Sequence, residues 1–170
     1  IHLYPGSNVI ASMRANPAGG YTYAAFAPPI PVGGTQPWQG GDVNGDGKYD
    51  LIKAEGSTIY TFLSTGTGAF SVVPFSLGAG YASTDGTWES GDVNRDGRTD
   101  FLHLRSAGVV RTYLSNGNGT YGAVQFQPWA GYSTGTGSWQ VGDFNGDGRS
   151  DFLHVLPTGG VYTWLSNGNG

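Results

Sequence analysis

Apolar and aromatic residues in this chain come in short runs, each closed by Gly, Asn, Asp or Pro. Phe101-Leu102-His103-Leu104, Val110-Arg111-Thr112-Tyr113-Leu114 and Ala123-Val124-Gln125-Phe126 are three of them. β-Branched and aromatic residues favour a pleated, half-buried surface, so each run predicts a strand. Between the second and third stands Asn116-Gly117-Asn118-Gly119, a strong tight-turn signal. No segment has helical periodicity with room for three turns. The expectation is an all-β chain.

The runs recur with a fixed period. Gly41-Asp42-Val43-Asn44-Gly45-Asp46-Gly47-Lys48-Tyr49-Asp50 returns 50 residues later as Gly91 to Asp100, and 51 residues after that as Gly142 to Asp151. Four residues before each leading Asp stands a tryptophan: Trp38, Trp88 and Trp139. Ile59-Tyr60-Thr61-Phe62-Leu63-Ser64 matches Val110 to Ser115 and Val161 to Ser166. Four short strands in roughly 50 residues are the signature of a β-propeller blade. The chain therefore divides into repeats at 1–37, 38–87, 88–137 and 138–170, within one β-propeller domain over 1–170. The first repeat lacks the Asp loop, and the last runs only to its third strand. About three and a half blades fall short of the four to eight in a closed propeller. A partial ring is expected, as part of a longer propeller or as half of a homodimer.

Composition narrows the partners. Of 170 residues, 31 are Gly and 9 Pro, but 38% are apolar and 14% aromatic, too much sticky surface for a disordered chain. The net charge of −4 leaves no basic footprint for nucleic acid. No apolar run is long enough for a membrane-spanning helix. With no Cys there are no disulfides and no thiolate metal sites. The sequence begins at Ile1, so a targeting segment would lie outside it.

The acidic residues are concentrated. Of 12, nine are Asp42, Asp46, Asp50, Asp92, Asp96, Asp100, Asp143, Asp147 and Asp151. At about 5 Å and an effective dielectric near 20, each like-charge pair costs on the order of 3 kcal/mol, which calls for a counter-charge. In the spacing D-x-N-x-D-G-x-x-D, positions one, three and five point oxygens to one centre, as in the first half of an EF-hand loop. Asn44, Asn94 and Asn145 stand at position three. Gly47, Gly97 and Gly148 stand at position six, where the chain must turn sharply with positive φ. Lys48, Arg98 and Arg149, at position seven, offer backbone carbonyls, and Asp50, Asp100 and Asp151 close the set at position nine. All-oxygen ligands of this kind suit calcium, so three Ca²⁺ ions are expected. Asp-Asn-Gly clusters also form plain turns. Three copies in register, each keeping all four side-chain ligands, favour the ion.

These loops and their four-strand setting resemble the FG-GAP/VCBS repeats of integrin α-subunit propellers and of many secreted bacterial and fungal proteins. The resemblance covers residues 38–170 and more weakly 1–37; Leu77-Gly78-Ala79-Gly80 echoes only part of the Gly-Ala-Pro element. It implies a calcium-stabilised propeller. Leu114 to Tyr121, Leu-Ser-Asn-Gly-Asn-Gly-Thr-Tyr, is also similar to repeats of mushroom propeller lectins that bind N-acetylglucosamine between blades.

Other residues admit two readings. His2, His103 and His154 share one strand position, where the second blade has Lys53. They read as strand histidines at blade interfaces, or as hydrogen-bonding groups of a pocket between blades. Trp38, Trp88 and Trp139 read as packing of blade on blade. Tyr81, Trp129 and Tyr132 lie in Gly/Ser/Thr loops, where an aromatic face beside neutral hydrogen-bonding groups suits a sugar and also suits packing. Asn118-Gly119-Thr120 is a glycosylation sequon. The expected role is a secreted, calcium-stabilised, multivalent carbohydrate-binding module with glycans or glycoproteins as partners. The alternative is a protein-interaction or adhesion scaffold. The visible acids are used by the loops, so an enzyme is not expected.

Overall fold

Every apolar run becomes a strand, and the turn residues between them close antiparallel hairpins. The computed structural model describes residues 2–4, 8–31, 33, 37–128 and 131–170. Among these there are fourteen strands and no helix. The first sheet holds β1 (His2–Tyr4), β2 (Val9–Ala15) and β3 (Tyr21–Phe26). The second holds β4 (Gln39–Gly41), β5 (Asp50–Glu55), β6 (Thr58–Ser64) and β7 (Phe70–Ser76). The third holds β8 (Thr87–Gly91), β9 (Asp100–Arg105), β10 (Val109–Ser115) and β11 (Tyr121–Phe126), and the fourth β12 (Ser138–Gly142), β13 (Asp151–Val155) and β14 (Val161–Trp164). Within each sheet the strands pair antiparallel in chain order.

The first strands of successive sheets meet, β4 beside β8 and β8 beside β12. The sheets are thus the blades of a partial propeller. The first blade has the second to fourth strands of the repeat, and the last has the first to third.

Alternation along each strand sends one set of side chains to the blade before and the other to the blade after. In the seam between the second and third blades, Ile52, Ala54 and Ile59 meet Trp88, Phe101, Tyr113 and Tyr121. In the next, Leu102 and Leu104 meet Trp139 and Phe152. In the first, Ile10 meets Leu51, Phe62 and Phe70. Aliphatic residues on one blade therefore face aromatic residues on its successor, and each such buried side chain contributes about 1.5–3 kcal/mol.

Candidate functional site

The three acidic loops fold alike. In the first, Asp42 Oδ1 accepts the Gly45 and Asp46 N–H groups at 2.7 and 3.0 Å, and Oδ2 accepts the Gly47 N–H at 2.7 Å. Asp143 repeats this with Gly146, Asp147 and Gly148, and Asp92 with Asp96 and Gly97. The tight turn needs φ near +80° at position six, supplied by Gly47, Gly97 and Gly148 at 77°, 79° and 83°. Asn44 Oδ1 accepts the Asp46 N–H, and its amide donates to Asp46 Oδ2; Asn94 and Asn145 do the same.

Position seven contributes more than a carbonyl. Lys48 Nζ lies 2.6 Å from Asp46 Oδ2, Arg149 Nη1 2.9 Å from Asp147 Oδ2, and Arg98 Nη2 3.6 Å from Asp96 Oδ2. The Lys48 hydrogen bond holds the Asp46 carboxyl below its usual range; for Asp147 the Arg149 N–H does so first. Each loop thus sets its position-seven cation beside its position-five carboxylate, although solvent screens an exposed pair of this kind.

Position nine does something the motif does not announce. Asp50, Asp100 and Asp151 are fully buried. Asp50 Oδ2 accepts the Val43 N–H at 2.9 Å and Oδ1 the Ser64 N–H at 2.7 Å, tying the loop to the end of β6. Asp100 ties Val93 to Ser115, and Asp151 ties Phe144 to Ser166. Burial pushes Asp100 up to about 6, with the charges of Asp96 and Asp92 adding to it, against the pull of its two N–H donors.

Among the described residues, no group of three or more His, Asp and Glu side chains is gathered in ion-binding geometry. The donors at positions one, three and five are nevertheless all oxygen and lie toward solvent. A carboxylate has about four lone-pair sites, so Asp42 and Asp46 keep acceptor capacity. That chemistry fits a hard cation. Each oxygen of the position-nine carboxylates accepts one backbone N–H and keeps a second lone pair.

The loops also stitch neighbouring blades. The Thr99 N–H donates to the Asp42 carbonyl and the Ser150 N–H to the Asp92 carbonyl, both at 2.7 Å. Ser115 Oγ donates to the Val43 carbonyl and Ser166 Oγ to the Val93 carbonyl, both at 2.6 Å. The Thr99 side chain occupies the space a Cβ on Gly41 would need, 2.2 Å away, so glycine there permits the approach.

The candidate ligand residues come together in pairs. The Tyr81 hydroxyl meets His103 Nδ1, and the Tyr132 hydroxyl meets His154 Nδ1 at 2.5 Å. Trp88 stacks on His103 and Trp139 on His154, each with ring centroids 4.0 Å apart. The indole N–H groups donate to the Ser83 and Thr134 carbonyls. Both histidines are fully buried, and burial pulls His103 down to about 4, with Arg105 adding to it. Burial likewise raises the Tyr81 and Tyr132 hydroxyls. These units face the seams of the blades. Trp129 lies outside the described residues.

The sequence reading passed over Tyr49. It stands at position eight of the first loop, where the others have Thr99 and Ser150, and it is 61% exposed. It lines a cleft of about 470 Å³ between the first and second blades, with Ser12, Arg14, Asn16, Thr22 and Thr67. Thr22 donates to Asn16 Oδ1 at 2.8 Å, and Thr65 and Thr67 share a hydrogen bond at 2.8 Å. An aromatic face beside neutral hydroxyls and an amide is thus set in a concavity of the size small ligands use. The visible signal was the one bulky residue at a position otherwise Thr or Ser.

The solved lectin from Agrocybe aegerita, described as specifically recognising non-reducing terminal N-acetylglucosamine, shares the fold at TM-score 0.71 and 21% identity. The match covers 94% of this chain and 47% of that one, so this chain spans about half of its length. No curated protein matches this chain. The family model of the FG-GAP-like repeat matches residues 42–103 and 92–154. With the loop, the four-strand blade and that match in agreement, the chain belongs to the FG-GAP-like repeat family.

Proposed function

We propose that this chain is a calcium-stabilised carbohydrate-binding module acting outside the cell, and that the cleft beside Tyr49 is its sugar site. The observation that carries the reading is the cleft itself. Tyr49 offers a flat apolar face, and Ser12, Asn16, Thr22 and Thr67 offer neutral donors and acceptors around it. The lectin that shares the fold, recognising N-acetylglucosamine, makes amino sugars the first class to test.

Calcium would be held by Asp42, Asn44 and Asp46, by Asp92, Asn94 and Asp96, and by Asp143, Asn145 and Asp147. The carbonyls of Lys48, Arg98 and Arg149 and the carboxylates of Asp50, Asp100 and Asp151 complete the expected sets. The ion supplies positive charge to each acidic loop. At a hundredfold excess over Kd one site adds about 2.7 kcal/mol to the native state. Sites of extracellular type fill at about millimolar calcium, which supports a secreted or cell-surface location.

The test is a titration of calcium-loaded protein with N-acetylglucosamine oligomers, followed by a broad glycan array. Saturable binding that weakens at least about tenfold in Tyr49→Ala, with the melting temperature unchanged, supports the sugar site. Silence across the array would contradict it. For the ion, Asp96→Ala is expected to lower the melting temperature in calcium more than in chelator. Equal losses in both conditions would contradict calcium binding.

A further inference from the structure

The first strands of successive blades meet through one side chain of the repeat, and two of these meetings differ. Between the second and third blades that side chain is Gln39, on β4. Its amide donates to the Trp88 carbonyl on β8 at 2.8 Å, and the Ser90 hydroxyl donates to its Oε1 at 3.4 Å. Gln39 follows Trp38 as Glu89 follows Trp88, so Glu89 holds the same place between the third and fourth blades. There β12 supplies Trp139 and Val141 where β8 supplies Trp88 and Ser90.

Exchanging the amide for a carboxylate removes the donor. An ionised carboxylate only accepts, and in this register it faces a backbone carbonyl, which also only accepts. Val141 has no hydroxyl to offer in place of that of Ser90. Glu89 accordingly has no hydrogen bond and no ion pair among the described residues. It is nevertheless part-buried, and Val141 packs closely on β8, its Cγ1 2.9 Å from where a Cβ on Gly91 would stand. Leu102 is the residue opposite on β9. The titratable residue on this side of β13 is His154, opposite Trp139, and both of its ring nitrogens are engaged, by Tyr132 and by the Thr136 carbonyl. No neighbouring charge contributes to the Glu89 carboxyl, and burial alone raises it.

We propose that Glu89 is a proton-dependent clasp between the third and fourth blades. Its carboxyl donates a hydrogen bond to the Trp139 carbonyl once it takes up a proton from solvent, and opposes that carbonyl when ionised. The clasp does in acid what Gln39 does at every pH. A carboxyl that folding holds above its ordinary range binds its proton more tightly folded than unfolded. Its contribution is therefore complete below the unfolded value of about 4.3, and it falls away as the pH rises through the folded one.

The test follows the Glu89 carboxyl of the whole chain by carbon NMR. It also compares thermal unfolding of wild type, Glu89→Gln and Gln39→Glu between about pH 8 and pH 4.5 at fixed calcium, a window set by the ordinary glutamate value. The Glu89 midpoint is expected above about 4.3, with the Trp139 and Gln140 resonances moving at the same midpoint. Glu89→Gln makes the clasp permanent, so it should melt about 2–4 °C above wild type at the alkaline end, and the gap should narrow in acid. Gln39→Glu should carry the same dependence to the neighbouring seam, melting below wild type at the alkaline end and recovering in acid. The carboxyl midpoint needs no variant, so the test stands whatever the substitutions do to folding. A midpoint at or below the ordinary value, a Glu89→Gln protein no more stable than wild type at the alkaline end, or a gap that does not change with pH would each overturn the clasp.

Discussion

The first and second seams are built on one repeat and differ in outcome. In the second seam, Thr99 packs on Gly41 and donates to the Asp42 carbonyl, and Ser115 reaches across to Val43. In the first seam Gly68 packs on Ala24 and Ser12. There the residue equivalent to Thr99 is Tyr49, which is 61% exposed beside a cleft. The comparison teaches that the acidic loop is a stitch between blades as well as a candidate ion site. Beside Tyr49 the same register presents a concave surface with an aromatic side.

Breaking the stitch at its base should have the largest effect. Asp100 accepts the N–H of Ser115, whose Oγ crosses to the Val43 carbonyl, and its other oxygen accepts the Val93 N–H. Asp100→Asn places an amide donor against one of them, with an expected loss of about 3 kcal/mol in denaturant unfolding. A loss below about 0.5 kcal/mol would show that the tie is not what holds the seam.

Acid should probe the packing behind the stitch. His103 titrates near 4 when folded, against about 6.5 when unfolded. Between those values the unfolded chain binds the extra proton, so this imidazole costs stability as the pH falls from about 6.5 to 4. The raised Asp100 carboxyl acts in the opposite direction, so the informative quantity is the difference from His103→Gln. That variant loses the Tyr81 contact and the Trp88 stack at neutral pH. Its deficit should shrink by up to about 3 kcal/mol between pH 7 and pH 4. A constant deficit would mean that the histidine titrates normally.

Ser115→Ala is the finest cut. It removes the Oγ donated to Val43 and the acceptor for the Gly117 N–H, with an expected cost of about 1–2 kcal/mol. No measurable change would assign the seam to apolar packing alone.

What was legible in the sequence follows from what is local. Strands and turns are set by residues within a few positions of one another, and the all-β chain of short antiparallel strands appears as read. The pairing of Tyr81 with His103 joins residues 22 apart through the register of a blade, which composition does not encode. The role of Asp50, Asp100 and Asp151 was hidden for another reason. The motif gives the carboxylate at position nine, but that each of its oxygens also caps a buried N–H depends on burial and on the strand it faces. Tyr49 was hidden because its exposure is set by the neighbouring blade and not by its own loop.

The most direct measurement is an amide NMR titration of calcium-loaded protein with N-acetylglucosamine oligomers. Saturable shifts confined to Asn16, Thr22, Tyr49 and Thr67, lost in Tyr49→Ala, are the expected result. Sugar-dependent shifts centred on the Tyr81–His103 or Tyr132–His154 units, with the first seam silent, would contradict the assignment of the open cleft as the binding site.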